Sequence, residues 1–165
     1  MKQTLLERVE VGSGGASSIT FTSIDQSYDA LVVLVSDRSN RAAVNDAVII
    51  KMNGTTSTGT RMYGSGSSIT ATASPYPISA ANTSTSNSFS NIQFVISNYS
   101  STTKYKPWLA DGAHETNGNP AYHTLATGVY SSNSAVTSIT LEPETGTGFL
   151  EHSSASIYGV TFGSI

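Results

Sequence analysis

The sequence predicts an all-β fold: a jelly-roll-like antiparallel β-sandwich of about eight to ten strands. Three observations carry that expectation. Short apolar or alternating blocks recur between clusters of Gly, Ser and Asn, at the spacing of sandwich strands. The chain holds 28 Ser and 21 Thr against 8 basic and 11 acidic residues, so its exterior is rich in hydroxyls and poor in charge. Val, Ile, Leu and Phe return throughout, which separates it from disordered Ser/Thr-rich sequences.

Taken in order, Leu5 to Val11 is the first expected strand, and residues 1–12 form an N-terminal strand or arm ahead of a single domain over 13–165. Gly12-Ser13-Gly14-Gly15 turns the chain. No helix pattern follows it, so it is not a nucleotide-binding loop. Ser18 to Ser23 alternates, with Ile19 and Phe21 on one face and Thr20 and Thr22 on the other. Leu31 to Ser36 and Ala47 to Met52 do not alternate, which predicts strands covered on both faces. The second ends on Asn53-Gly54, a hairpin dipeptide.

Thr60 to Tyr63 and Ser67 to Ala73 follow, closed by Pro75 and Pro77. Ser79 to Ser88 lacks any period and is expected to be a long loop or a weak edge strand. Ser90 to Tyr99 places Ile92, Phe94 and Ile96 on one face. Tyr105 to Ala113 and Tyr122 to Tyr130 are expected strands on either side of the turn signal Asn117-Gly118-Asn119-Pro120. Val136 to Leu141 and Ser156 to Phe162 complete the set.

Composition narrows the function. A formal charge of −3 with no basic stripe argues against a nucleic-acid partner. The absence of cysteine excludes disulfides and thiolate metal sites and is compatible with assembly in a reducing cytoplasm. No segment has the length and apolarity of a membrane span, and residues 1–11 show no secretory apolar run.

Several residues then fall into an ordered set. Tyr28, Leu31, Val33 and Arg38 precede the apolar strand Ile49 to Met52, Asn53-Gly54 and Tyr63. Ile96-Ser97-Asn98-Tyr99 and Lys106 stand in the middle. Ser138-Ile139-Thr140-Leu141, Phe149, Ser153-Ser154 and Tyr158-Gly159-Val160 close the chain. The set resembles a family of β-sandwich proteins and domains in tailed-bacteriophage particles, over roughly residues 15 to 162. Ala30, Glu151 and His152 depart from the pattern, standing where that family more often has a polar residue and small residues respectively.

The resemblance implies a virion structural protein and no enzymatic activity or cofactor. Such members are similar to capsid decoration (cement) proteins, or to head- and tail-fibre domains. A chain that is sandwich and little else fits a stand-alone decoration protein on the phage head, assembled in the host cytoplasm. Its expected partners are the major capsid protein and itself, as a homotrimer. Expected contacts are Leu5, Leu6 and Val9 of the N-terminal segment and the loops of Arg38, Arg41 and Asn82. For Arg38 the simpler assignment is structural: bonds to loop carbonyls, or pairing with Asp37 or Asp46.

The alternative is an adhesin domain that binds host-surface glycans by stacking sugars on Trp108 and Tyr122. The plainer place for Trp108, the sole tryptophan, is the core or a subunit contact. A third reading, a polysaccharide-cleaving enzyme, needs two facing carboxylates, and the spacing of the acidic residues picks out no such pair. His114, Asp111, Glu115 and His123 would form a metal or acid–base cluster if neighbouring strands gathered them, and are otherwise surface residues. Asn53, Asn82 and Asn98 open glycosylation triplets, at about the three expected by chance.

Overall fold

Side-chain alternation decides which faces of these strands meet. The structure is a computed structural model that describes residues 1–66, 68–118 and 121–163. Within these residues there are thirteen strands and no helix. They are β1 (Lys2–Glu10), β2 (Ile19–Phe21), β3 (Ala30–Ser36), β4 (Asn45–Met52), β5 (Thr55–Thr56), β6 (Thr58–Ser65) and β7 (Ser68–Thr72). The rest are β8 (Ile78–Ala80), β9 (Asn91–Ser97), β10 (Lys106–His114), β11 (Tyr122–Tyr130), β12 (Ile139–Pro143) and β13 (Ser154–Thr161). Ser67, Asn119-Pro120 and Ser164-Ile165, which belong to predicted segments, lie outside the described residues.

Eight strands form one sheet in the order β1-β13-β3-β9-β10-β11-β6-β7, and a five-stranded sheet holds β2-β12-β4-β5, with β8 paired to β4. All paired strands are antiparallel. The result is the predicted all-β sandwich; its jelly-roll winding stays an expectation. The core draws Ile19, Phe21, Val48, Ile50, Met52, Ile139 and Leu141 from the small sheet. The large sheet supplies Leu31, Val33, Val35, Ile92, Phe94, Ile96, Trp108 and Ile157. Each of these sets recurs with the period of two that puts alternate side chains on one face.

The N-terminal residues form a full edge strand along β13, with a register shift between Leu5 and Glu7. That shift lets both Leu6 and Val9 turn toward the core while Leu5 faces out. β3 is covered on both faces as expected: its outward Ala30 and Val32 are buried in a second cluster with Val160, Val95 and Tyr158. β4 alternates more than expected, since Ile49 and Lys51 are half-buried, and Lys51 pairs with Glu142 at 2.6 Å. Asn53-Gly54 is the predicted two-residue turn, with φ of 49° and 79°.

For Ser79 to Ser88 both expected forms occur, a short edge strand and then a loop. Ser79, Ala80 and Ala81 are fully buried, and Ile78–Ala80 pairs with β4. Only the residues after them form a loop. One Ser and two Ala carry no period, so tertiary contact decided between strand and loop.

Trp108 sits opposite Gly128 in the β10–β11 register and packs on Phe94 at 5.7 Å between ring centroids. A Cβ at position 128 would stand 2.5 Å from the indole ring. Gly128→Ala is therefore expected to cost about 1–3 kcal/mol, as overpacking does, read as a lower urea midpoint with an unchanged slope.

Candidate interaction surface

Several polar residues of the ordered set prove to be fasteners, while its apolar members lie in the core. Arg38, 7% exposed, donates from its guanidinium to four carbonyls of one loop: Asn82 at 2.8 Å, Ser84 at 2.9 Å, Thr85 at 2.5 Å and Ser88 at 3.1 Å. A planar donor fork suits this task, because several fixed N–H groups can each meet a different carbonyl. The carbonyl-binding assignment for Arg38 is thus the observed one, and its burial takes it out of any surface contact.

Asn53 works similarly: its Oδ1 accepts from the Thr137 and Ser138 amides at 2.9 and 3.1 Å, and its Nδ2 donates to Ala135 O. The Tyr99 hydroxyl donates to Asp25 O and accepts from the Tyr28 amide. Lys106 Nζ, fully buried, donates to the carbonyls of Lys104 and Ser132 at 2.8 Å each. Burial lowers its pKa. Gly159 admits the Tyr28 ring, which a Cβ there would meet at 2.4 Å. The motif residues hold loops and strand ends in place.

The predicted His/acid cluster is split by the pleat. His114 lies on the inner face of β10, with Nε2 2.9 Å from Asn45 Oδ1 and its ring 5.6 Å from that of Tyr122. Burial pushes its pKa down to about 4. Asp111, three residues away, points outward and pairs with His123 at 2.7 Å. Among the described residues, no three His, Asp or Glu side chains are grouped to hold a metal ion. The odd spacing of 111 and 114 on one strand already required opposite faces.

The second buried group is Asp37, wholly inside, with the Ser90 hydroxyl donating to Oδ1 and no partner on Oδ2. Desolvation raises its pKa to about 7, against the lowering effect of the Ser90 and Ser79 hydroxyls. Asp46, beside it in charge terms, instead satisfies both oxygens with Ser39 Oγ and the amides of Ala47, Thr145 and Gly146.

Trp108 is corrected as a sugar platform: it is 2% exposed, and its indole N–H donates to Ser57 Oγ at 2.9 Å. Tyr122 is half-buried at the end of the inner face, 6.2 Å from the Tyr63 ring, whose other neighbour is the Arg61 guanidinium at 5.2 Å. Arg41 is half-exposed and donates to Asn45 O. Asn82 is exposed, and its amide meets Arg41 O at 3.0 Å, so these two predicted contact residues do share one surface. Leu5, 52% exposed, lies on the far edge of the large sheet.

That large sheet carries what sequence reasoning missed. Its outer face should be polar, as in most sandwiches. It bears instead an apolar row in register across five strands: Leu5, Tyr158, Val32, Val95 and Leu109. One step along, Leu125 on β11 faces Met62 on β6, which faces Ala71 on β7. Leu109, Leu125, Met62 and Ile69 are 47%, 44%, 49% and 71% exposed. A cleft of about 320 Å³ opens at this end between Met62, Ile69, Leu125 and His123. The signal was present in Trp108-Leu109-Ala110, where both parities of one strand are apolar.

No family model, curated protein or solved structure matches this chain. A cleft of about 550 Å³ is lined by Gly14, Ala16, Asn40, Thr147, Phe149 and the carboxylate Glu151.

Proposed function

We propose that this chain is a bacteriophage virion structural protein, a decoration (cement) protein that binds the assembled head. The observation that carries the reading is the ordered set from Tyr28 to Tyr158-Gly159. Arg38, Asn53, Tyr99, Lys106 and Gly159 serve as internal fasteners of a sandwich, which is what residues shared by a structural family would do. Binding the lattice and not the free shell subunit would stabilise the head by mass action. Several copies in one homotrimer would multiply weak contacts through the major capsid protein. The polar rim around Arg41 and Asn82 supplies one such contact, with both side chains or their loop open to solvent.

The fibre-adhesin reading keeps one supporting observation, the half-buried Tyr63–Tyr122 pair beside Arg61, a platform of the kind that meets sugars. Immunogold labelling of parent particles with antibody against this chain separates the two. Gold over the head is the expected result. Gold confined to the tail transfers the assignment to the adhesin, and unlabelled particles overturn both.

A further inference from the structure

We infer that the outer face of the eight-stranded sheet is an interface between copies of this chain. The apolar row Leu5–Tyr158–Val32–Val95–Leu109 and its continuation through Leu125 and Met62 cross that face from one edge to the other. Leu5, Leu109, Leu125 and Met62 of this band are 44–52% exposed, joined through half-buried Tyr158 and Val95 and buried Val32. A connected apolar band marks a contact surface, whereas single exposed leucines do not.

The area matches the occupant. Eight strands spaced about 4.8 Å and about seven residues long make a face of about 900 Å². A stable pair of proteins needs about 800 Å² on each partner. Charge favours a like copy over a charged partner. The ionisable side chains of this face are Arg8, Glu10, Asp111 and His123, and they pair with each other at 3.1 and 2.7 Å. The Arg8–Glu10 pair is neutral and the Asp111 carboxylate is held by a hydrogen bond to the His123 ring, so the face carries little charge to repel an identical face or to attract an opposite one. The cleft beside Met62, Ile69 and Leu125 gives a partner's apolar side chain a place to enter at one end of the band.

A closed symmetric oligomer follows, in which each copy hides the same band. The inference deepens the virion reading, which invokes several copies, but fails separately from it. Light scattering and sedimentation of the full chain test it, with Leu109→Lys, Leu125→Glu and, on the outer face of the small sheet, Thr140→Lys. All three positions are at least partly exposed, so the fold should persist, checked by circular dichroism. The wild type and Thr140→Lys are expected to share one oligomeric mass. Leu109→Lys and Leu125→Glu are expected to weaken association roughly 100-fold.

A wild type that stays monomeric at about 100 µM overturns the inference. So do Leu109→Lys and Leu125→Glu proteins that keep the wild-type mass, or a Thr140→Lys protein that dissociates as they do. A monomer that still labels phage heads sinks this interface alone, while an oligomer that labels no particle sinks the virion reading alone.

Discussion

Arg38→Ala is expected to destabilise the fold by about 3–5 kcal/mol, as breaking a buried, multiply bonded charge does. For a chain of this size that corresponds to a melting temperature lower by about 10 °C. The physical reason is one of accounting for carbonyls. The loop after β8 turns over Arg38, and four of its carbonyls point at one guanidinium. Alanine leaves them to find water beneath a loop whose Ser84 and Ser90 are buried. Arg38→Lys should recover only part of the loss, because one ammonium cannot reach four divergent acceptors. Limited proteolysis should cut within residues 82–90 in the alanine variant before any other segment. A variant with unchanged urea midpoint and no new cleavage would refute the clamp.

The pH dependence of stability should show two opposed terms, and single substitutions should uncover each. Asp37 has its pKa raised from 3.8 to about 7. Between those values the folded chain holds a proton that the unfolded chain has released, so this group lowers stability as pH rises, and the loss is complete above about 7. His114 has its pKa lowered from 6.5 to about 4. In that window the unfolded chain holds the extra proton, so this group raises stability as pH rises. From about pH 4 to 6.5 the two nearly cancel.

Asp37→Asn supplies an amide that accepts from Ser90 and offers a donor toward Ser79 without a charge. It should gain a few kcal/mol over the wild type at pH 8 and almost nothing at pH 4. Its stability should then climb from pH 4 to 6.5, the bare His114 slope. His114→Gln should show the reverse, a decline with rising pH from Asp37 alone. Urea unfolding at several pH values reads all three proteins. Parallel curves for Asp37→Asn and wild type would remove Asp37 from the account.

Strand existence was legible wherever one face is buried. Ile19/Phe21 and Ile92/Phe94/Ile96 announce their strands by period alone, and all of them are core residues. Asn53-Gly54 announced its hairpin because left-handed φ at two successive positions is costly for other residues. β8 was legible only as one of two options, loop or weak edge strand, since Ser and Ala favour no period and its burial comes from β4 and the loop over Arg38. The surface was the least legible part. Trp108 and Leu109 are adjacent and equally apolar in sequence, yet one fills the core and the other faces solvent.

By itself, then, the sequence determined local matters: an all-β class, most strand positions, the Asn53 turn and the opposite facing of Asp111 and His114. These follow from the two-residue repeat and from turn chemistry, which act between neighbours along the chain. Tertiary structure alone decided the eight-and-five division of strands, the embrace of one loop by Arg38, the burial of Asp37 and the join of Leu5, Leu109, Leu125 and Met62 into one band. Those residues lie far apart in sequence, and only strand order and register, set by packing of the whole core, bring them side by side.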